Sequence, residues 1–308
     1  MMIIVAQDGT GDYSTIMGAV DSICPISNAL KNDEALEPIT IFIKNGIYKE
    51  KIEIVDKNIN LIGESKANTR ITFDDHAFKI IENEEQMKTF RSYTFFVSSD
   101  YFSAENMIIE NASGPGERVG QAIALYVDCK VAYFNNCCLK GHQDTLFIGP
   151  LPSAPRIPNS FTGPKEHSER KPTYSRFTAC EIQGDIDFIF GSGRADFYHC
   201  DLISNDRGEE INGYITAAST PEYAAEGFIF YKCNLISTAK ENSVFLGRPW
   251  RPFAKVKFIE CQMGPHIHKQ GWDLWGNSEN AETVTFAEMR NEGLGARRDE
   301  RLECVLKR

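Results

Sequence analysis

Residues Phe134–Leu139 (F-N-N-C-C-L) contain a six-residue pattern, F-x-x-C-x-[L/I/M], that decides the fold of this chain. The pattern is also complete at Phe177–Ile182, Phe197–Leu202, Phe230–Leu235 and Phe258–Met263. A degenerate copy, F-S-A-E-N-M, begins at Phe102. Successive cysteines of the complete copies are 43, 20, 33 and 28 residues apart. A short signature at a variable period is typical of stacked coils with loops of different length, and it predicts a parallel β-helix.

The sequence between these copies supports an all-β solenoid with few helices. Short runs of β-branched and aromatic residues, such as Ile39–Ile43 and Ala122–Val127, alternate with Gly, Asn and Asp. Thr15–Ile23 has apolar residues at helical spacing, and Pro25 follows it, so we expect a short N-terminal helix that caps the solenoid. A weaker pattern near Phe286–Asn291 predicts a second helix.

The same pattern explains most of the nine cysteines, because five of them occupy one equivalent position in it. We expect these five side chains to form an inward stack of small apolar groups. A redox or metal cluster is the alternative. The total is odd, however, and the chain has neither a C-x-x-C pair nor a Cys/His zinc spacing, so we expect no disulfide framework and no metal.

Composition and charge limit the possible partners. The chain has 308 residues, of which 43 are acidic and 33 basic, and its net charge is −10. Nucleic acid and anionic membrane surfaces bind basic faces, so neither is an expected partner. A polyanionic ligand is also disfavoured, unless its charge is masked or is met by a local Arg or Lys. No run of 18 apolar residues is present, so we expect no transmembrane helix.

We expect one domain spanning residues 1–308, because no linker divides the chain. The one long proline-rich stretch, Gly149–Pro172, is predicted to be a surface loop inserted between two strands. It either forms one wall of a cleft or is an insertion without a role. The first ten residues lack the basic region of a signal peptide, so we expect a cytoplasmic protein or the mature form of a secreted one.

Candidate functional residues come from segments that concentrate polar groups inside strand-like runs. These segments are Gly120–Leu125, Gly141–Phe147, Gly184–Gly191 and Leu246–Trp250. A carboxylate in such a run is costly to bury unless it is paired and hydrogen-bonded. Equivalent positions of adjacent parallel strands lie about 4.8 Å apart. Neighbouring coils are therefore expected to bring together Asp144, Asp187, Gln121, Gln143 and Arg248.

Two close carboxylates beside an arginine favour a division of roles. The carboxylate that is bonded to the arginine stays ionised, and the other has a raised pKa and carries a proton. Neighbouring amide side chains are donors suited to an oxyanion. The set suits acyl transfer by a carboxylate nucleophile, and it equally suits a glycosidase that uses two carboxylates. The residues alone leave esterase, glycosidase and lyase open.

The four segments, in this order, resemble the signature blocks of the pectin methylesterase (pectinesterase) family, bacterial type. D-F-I-F-G together with G-x-Q-D-T-L and L-G-R-P-W is highly specific, whereas a lone G-R-P-W is not. Further similar blocks bring the resemblance to nearly the whole chain, and they lie at Asp8–Val20, Ile43–Glu50, Glu110–Pro115, Tyr214–Ala217 and Gly271–Trp275.

The resemblance implies a right-handed parallel β-helix, with long loops that form a cleft, which hydrolyses methylated pectin to pectate and methanol. It implies no metal or cofactor, and it implies pectin or methylated oligogalacturonides as the binding partner. By motif, Asp187 would be the nucleophile and Asp144 the general acid and then the general base. Gln143, with Gln121, would stabilise the tetrahedral oxyanion. A capped solenoid of this kind is expected to be a monomer.

The resemblance also assigns three substrate-binding positions. Arg248 would hold the nucleophile ionised, and Trp250 would form part of the sugar-binding surface. Thr89, in K-T-F-R-S-Y-T, aligns more loosely with a threonine that contacts substrate in the family. Because the chain is acidic, we expect it to discriminate against demethylated flanking sugars, and rising salt should weaken that discrimination.

Two departures from the family concern substrate preference. The two candidate carboxylates are 43 residues apart, about twice the usual separation, and the proline-rich loop accounts for the difference. Ala218 stands where the family commonly has Gln, so one hydrogen bond in the cleft is expected to be absent. The alternatives to an esterase are a galacturonan-cleaving hydrolase or lyase, and a pectin-binding β-helix without catalytic activity.

Other polar and aromatic residues have simpler interpretations. We expect His142 to be a loop histidine rather than one that tunes a neighbouring pKa, and Asp185 to be a solvated carboxylate at a loop end. His266 and His268 are not expected to bind a metal. Trp272 and Trp275 either line the cleft or pack the last coil. The charged C-terminal run, 296–308, is predicted to cap the solenoid. These interpretations all follow from local sequence context.

Overall fold

The computed structural model describes residues 2–29 and 37–303, and within these ranges the strands form three parallel sheets. From the second to the twenty-fourth strand, the chain visits the ten-stranded, the eight-stranded and the seven-stranded sheet in turn, and the last strand returns to the ten-stranded sheet. Each circuit therefore adds one strand to every sheet, and each strand pairs in parallel with the strand one coil before it. This arrangement is a parallel β-helix, as the recurring pattern predicted. The single-domain boundary at 1–308 stays a prediction.

The bounds of the strands, numbered in chain order, are as follows. The ten-stranded sheet contains β1 (Met2–Val5), β2 (Ile39–Ile43), β5 (Ile59–Gly63), β8 (Tyr101–Glu105), β11 (Val131–Asn135), β14 (Tyr174–Thr178), β17 (Arg194–Tyr198), β20 (Phe228–Tyr231), β23 (Lys255–Ile259) and β25 (Thr285–Met289). The eight-stranded sheet contains β3 (Gly46–Lys49), β6 (Thr69–Phe73), β9 (Ile108–Asn111), β12 (Cys138–Lys140), β15 (Glu181–Gly184), β18 (Asp201–Ser204), β21 (Asn234–Ser237) and β24 (Gln262–Met263). The seven-stranded sheet contains β4 (Ile52–Val55), β7 (Phe95–Ser98), β10 (Leu125–Val127), β13 (Leu146–Ile148), β16 (Ile186–Gly191), β19 (Gly213–Ala218) and β22 (Val244–Gly247).

The F-x-x-C-x-[L/I/M] pattern marks the corner between the ten-stranded and eight-stranded sheets. Its phenylalanine points into the core, and the rings of consecutive coils stack with centroids 4.4 to 4.9 Å apart from Phe134 to Phe258. The residue before each cysteine has a positive φ, for example 53° at His199, which turns the chain sharply. The five cysteines that follow are buried, as predicted, and form an inward stack: Cys137, Cys180, Cys200, Cys233 and Cys261.

The degenerate copy of the pattern is shifted by two residues from the position that the sequence suggested. β8 pairs with β11 so that Ala104, not Phe102, lies opposite Phe134. Asn106 then takes the positive-φ position, with φ 59°, and buried Met107 corresponds to Cys137. The alignment on Phe102 was wrong because an inward-facing aromatic residue recurs every second position of a strand, so its identity does not define the register.

Helices are short and lie outside the sheets. They are α1 (Ile16–Asp21), α2 (Ile26–Ala29), α3 (Gly116–Val119) and α4 (Asn280–Thr283), with 3-10 turns at Glu82–Glu84, Thr89–Arg91 and Arg298–Glu300. The predicted N-terminal helix is present as α1. The side chain of Thr15 caps it by accepting a hydrogen bond from the Gly18 N–H, and Ile16, Ala19 and Val20 are buried beneath it.

The second predicted helix, near Phe286–Asn291, is wrong. Thr285–Met289 is strand β25, which pairs with Lys255–Ile259 as the last strand of the ten-stranded sheet. A short apolar run satisfies both helical and strand spacing, and here the unpaired edge of the preceding coil selects the strand. The last five residues of the charged C-terminal run, which was predicted to cap the solenoid, lie outside the described residues.

Two apolar clusters organise the interior. The larger one fills the solenoid from β1 to β25. The smaller one lies on the outer face of the seven-stranded sheet, where Tyr126, Phe147 and Phe190 point away from the solenoid core. Phe161, from the long loop between β13 and β14, packs onto this outer cluster. The described residues contain no helix that is long and apolar enough to span a membrane.

Candidate active site

The candidate residues are carried by consecutive coils of the seven-stranded sheet. Gln121 precedes β10, Gln143 and Asp144 precede β13, and Asp187 lies in β16. Arg248 directly follows β22, two coils farther on. Backbone hydrogen bonds from Ala122 N to Gln143 O (3.1 Å) and from Asp144 N to Ile186 O (3.0 Å) hold adjacent coils in register. Parallel stacking thus brings together residues that are up to about 130 positions apart in sequence.

Both candidate carboxylates lie at irregular points of the backbone. Asp144 has φ 66° and Asp187 has φ 51°, in the left-handed region that few non-glycine residues adopt. The pairing of β16 with β19 shifts between Ile186 and Ile189, so Asp187 occupies a bulge. A bulge redirects the side chain at that point of the strand. It turns the Asp187 carboxylate toward the cleft, while Phe188 beside it enters the solenoid core.

All seven residues that the sequence singled out line one cleft, whose volume is about 330 Å³. The cleft lining consists of Thr89, Phe90, Gln121, Gln143, Asp144, Arg156, Ile157, Ser160, Phe161, Asp187, Phe190, Ala217, Arg248, Trp250, Arg251 and Trp275. The structure therefore brings the predicted residues together in one cleft.

Asp187 and Arg248 form a bidentate ion pair at the base of the cleft. The Arg248 Nε–H donates to Oδ1 at 2.9 Å, and an Nη2–H donates to Oδ2 at 2.7 Å. Asp187 is only 6% exposed, so water screens this pair weakly. Two parallel charge-assisted bonds fix the plane of the carboxylate and favour its ionised form.

Arg248 is itself held between two aromatic rings. Its guanidinium carbon lies 3.9 Å from the centroids of both Tyr214 and Trp275. Cation–π contacts of this kind orient a guanidinium without removing its hydrogen-bond donors. Tyr214 was not among the predicted site residues, although it lies in the Y-I-T-A block. Tyr214 lies one coil from Asp187, opposite Ile186, and this stacking of adjacent coils could have predicted its place in the site.

The two carboxyls are electrostatically unequal. Burial raises the pKa of Asp144 well above its usual value, and the nearby charge of Asp187 raises it further. Burial also raises the pKa of Asp187, but Arg248 opposes that rise by its charge and its hydrogen bonds. The pair therefore favours an ionised Asp187 beside a protonated Asp144, which is the division of roles that two close carboxylates and one arginine predict.

The two glutamine amides are available to a ligand. Within the described part of the chain, neither Gln121 nor Gln143 donates a side-chain hydrogen bond to another protein group, and both face the cleft. Each amide carries two N–H donors. The site thus combines a nucleophilic carboxylate, a proton-carrying carboxyl and free donors for an oxyanion.

Aromatic side chains and the proline-rich loop form the rest of the cleft. Trp250 is partly buried against Phe90 and Phe190, with ring centroids 6.4 and 5.8 Å away. Phe161 packs edge-on against Phe90 at 5.6 Å. Of the two roles expected for the loop, the structure supports that of a cleft wall, since four of its residues line the cleft.

Several interpretations of single residues are corrected. Asp185 is not solvated: it is 2% exposed, accepts a hydrogen bond from its neighbour Ile186 N at 2.8 Å, and lies 2.8 Å from His142 Nδ1. The dense packing of adjacent coils encloses this loop end, which local sequence does not reveal. Ala218 points into the solenoid core, so its replacement of Gln removes no group from the cleft.

The two tryptophans of G-W-D-L-W have different environments. Trp272 is buried and stacks on Phe286 with centroids 4.1 Å apart, so it packs the last coil. Trp275 lines the cleft. His266 is buried, and burial lowers its pKa to about 4. In the part of the chain that the structure describes, no group of three or more His, Cys, Asp or Glu side chains is arranged to bind a metal.

Comparison with known proteins identifies the family. The sequence model of the family described as Pectinesterase matches residues 2–150 and 166–305. Pectinesterase 31 of Arabidopsis thaliana is 30% identical over 309 residues, which cover 98% of this chain and 86% of that protein. The chain spans about half (48%) of the length of another curated relative, probable pectinesterase/pectinesterase inhibitor 23 of Arabidopsis thaliana.

Solved structures agree with the sequence comparison. Pectin methylesterase PemA from Erwinia chrysanthemi superposes with a TM-score of 0.76 at 28% identity, covering 96% of this chain and 89% of that one. A pectin methylesterase in complex with hexasaccharide VII gives a TM-score of 0.76 at 27% identity, with 96% and 90% covered. The predicted parallel β-helix is confirmed, and the chain belongs to the pectinesterase family.

Proposed function

We propose that this protein hydrolyses the methyl esters of pectin or methylated oligogalacturonides through an acyl-enzyme on Asp187. The observation that carries the proposal is the bidentate Asp187–Arg248 pair beside Asp144, whose pKa is raised well above its usual value by burial and by Asp187. One carboxylate is thereby available as a nucleophile, while the other holds a proton for the leaving group.

The first half of the reaction forms the acyl-enzyme. An oxygen of Asp187 attacks the carbonyl carbon of the uronate methyl ester, and the carbonyl oxygen becomes an oxyanion. The amides of Gln121 and Gln143 donate hydrogen bonds to that oxyanion. The carbon–methoxy bond then breaks, Asp144 gives its proton to the methoxy oxygen, and methanol leaves. An anhydride joins Asp187 to the substrate.

The second half regenerates the enzyme. Water attacks the acyl carbon of the anhydride, and the newly ionised Asp144 accepts its proton, acting now as a general base. The bond to the Asp187 oxygen breaks, which returns Asp187 as a carboxylate bonded to Arg248 and releases the galacturonate. Within the proposal, Trp250 and Thr89 contact the sugar chain at the cleft surface.

The deciding experiment measures methanol release from highly methylated pectin, with chain length followed in the same reaction. Wild type should release methanol without shortening the chains. Asp187→Asn and Asp144→Asn, which preserve side-chain shape, should each lose several orders of magnitude in turnover. Near-normal methanol release by Asp187→Asn would refute the nucleophile. Shortened chains without methanol would favour a galacturonan-cleaving hydrolase or lyase.

A pectin-binding protein without activity would produce neither methanol nor shortened chains, but the protein immobilised on a column would still retain pectin.

Of the two compartments expected from the sequence, the cytoplasm gains no support from the relatives. We also propose that the enzyme is a monomer, as expected for a capped solenoid. Light scattering of the purified protein tests this.

A further inference from the structure

The long loop between β13 and β14 contributes to the cleft a group that the family does not account for. The match to the pectinesterase family omits residues 151–165, which include Arg156 and Phe161. Both residues line the cleft that contains Asp187. Any substrate contact made by this segment therefore lies outside the part of the chain that matches the family.

The loop is anchored in a way that places Arg156 at the cleft. Arg170 donates hydrogen bonds to the carbonyls of Lys165 (2.6 Å), Glu166 (2.8 Å) and Ser168 (2.6 Å), which ties the second half of the loop to itself. Phe161 packs between aromatic rings of the outer cluster. These contacts order the loop before a ligand binds, so little conformational entropy is lost on binding.

A second arginine anchors the first half of the loop. Arg251 follows Trp250 and donates from Nη2 to Ala154 O at 2.9 Å, two residues before Arg156. Burial, followed by the nearby charge of Arg156, lowers the pKa of Arg251 to about 10. Both guanidinium groups also line the same cleft, so an anion bound there would offset the repulsion between their like charges.

Neither guanidinium is neutralised by the protein. In residues 2–29 and 37–303, no carboxylate lies within 4.0 Å of Arg156 or Arg251. Other arginines do have such a partner, among them Arg194, Arg207, Arg248 and Arg301. Arg156 instead lies over the Trp275 ring, with its guanidinium carbon 5.4 Å from the centroid. Two unpaired cations at one end of a cleft attract an anionic ligand.

The position of Arg156 and Arg251 relative to Asp187 determines which part of the ligand these two arginines contact. The Trp275 ring contacts the guanidinium groups of both Arg156 and Arg248, and Arg248 binds the nucleophile Asp187. One aromatic ring therefore separates Arg156 from the pair that holds the nucleophile. A sugar next to the one being demethylated would reach them.

We propose that Arg156 and Arg251 form a subsite for the free carboxylate of a demethylated galacturonate adjacent to the methyl ester that reacts. The inference rests on the proposed function, since it takes a polyuronate as substrate. It gives this enzyme a preference for partly demethylated chains. Locally, the two cations reverse the discrimination against demethylated sugars that the net charge of −10 predicts.

The test compares kcat/KM for methanol release on two substrates of equal length, a fully methylated and a partly demethylated oligogalacturonide. Arg156→Gln should lower the ratio of partly demethylated to fully methylated kcat/KM by about tenfold, which corresponds to ~1.4 kcal/mol. Arg156→Lys, which keeps the charge, should restore most of the ratio. Raising salt should reduce the wild-type preference.

Arg176→Gln is the matched control. Arg176 also lies over an aromatic ring, 5.2 Å from the Tyr198 centroid, but it belongs to β14 in the ten-stranded sheet and does not line the cleft. Its removal changes the net charge equally, so it should leave the substrate ratio as in wild type.

The outcomes separate the two proposals. If methanol is released and the ratio is unchanged in Arg156→Gln, the carboxylate subsite is refuted and the esterase stands. If wild type releases no methanol, the proposed function fails, and binding of unmethylated hexagalacturonate decides the subsite. Weaker binding by Arg156→Gln than by Arg176→Gln would then support it, and equal binding would overturn it.

Discussion

Replacing Arg248 by Gln tests the electrostatic basis of the site, because Arg248 supplies both hydrogen bonds that hold Asp187. The two bonds, 2.9 and 2.7 Å long, bind a carboxylate that is only 6% exposed. Removing one partner of a buried ion pair costs ~3–5 kcal/mol. If that loss falls on the ionised nucleophile, kcat/KM should decrease by about 10²–10⁴-fold.

The change should also alter the pH dependence in a defined direction. Burial raises the pKa of Asp187, and Arg248 opposes the rise. Without the guanidinium the pKa of Asp187 should rise further, so a smaller fraction of the nucleophile is ionised at a given pH. The acid limb of the kcat/KM profile should therefore move to higher pH, and part of the lost activity should return as the pH increases.

The assay is methanol release over a range of pH, with folding checked by circular dichroism and thermal unfolding. Arg248→Lys keeps the positive charge but loses the bidentate geometry, so it should lose less activity than Arg248→Gln and move the acid limb less. Arg176→Gln, outside the cleft, serves as the control. A folded Arg248→Gln protein whose acid limb coincides with that of wild type would refute this account of how Asp187 is kept ionised.

Four further measurements examine the site and the fold. Gln121→Ala should reduce kcat by about 10²–10³-fold if its amide meets the oxyanion, and a change in KM alone would contradict that role. Asp144→Asn should abolish turnover, yet it should raise the free energy of unfolding at neutral pH by ~0.5–2 kcal/mol. The reason is that the pKa of Asp144 is raised in the folded protein, so folding opposes ionisation of this carboxyl. Urea unfolding at low pH, where the carboxyl is protonated in both states, should show no such gain. Phe197→Ala should lower the free energy of unfolding by ~3–5 kcal/mol, since its ring stacks on Phe177 and Phe230 with centroids 4.9 and 4.4 Å away. An unchanged midpoint of urea unfolding would show that the stacked phenylalanine rings do not stabilise the fold. Glu288→Gln should destabilise the last coil by a similar ~3–5 kcal/mol, because it leaves the buried Arg301 guanidinium without a counter-charge; thermal unfolding measures this.

The candidate site was readable where a residue type contradicts its surroundings. Asp187 stands between apolar strand residues, and a carboxylate there is explained by a buried partner, which the structure supplies as Arg248. The same reasoning failed for Asp185, because its burial depends on the coil that closes over it and not on its neighbours in sequence. Tyr214 was overlooked for a similar reason, since it acts through Arg248, 34 residues away.

The repeat also showed the limit of local patterns. Complete copies identified the corner of each coil, but the degenerate copy was aligned on Phe102 when Ala104 and Met107 hold the equivalent positions. Alternating inward residues look alike in two registers, so only pairing with the next coil distinguishes them. The Phe286–Asn291 segment was misread as helix because the strand needs the edge of β23 to form.

What the sequence by itself determined is the repeating unit and the family: short strands with a Phe/Cys corner predict stacked parallel coils, and the motifs around Asp144, Asp187 and Arg248 resemble those of the pectinesterases. Those features are carried by residue type and short spacing, which tertiary structure does not alter. Only the tertiary structure decided the raised pKa of Asp144, the aromatic clamp on Arg248 and the path of the 151–165 loop into the cleft. Each of these depends on distances between coils that are far apart in sequence, and such distances are set by packing.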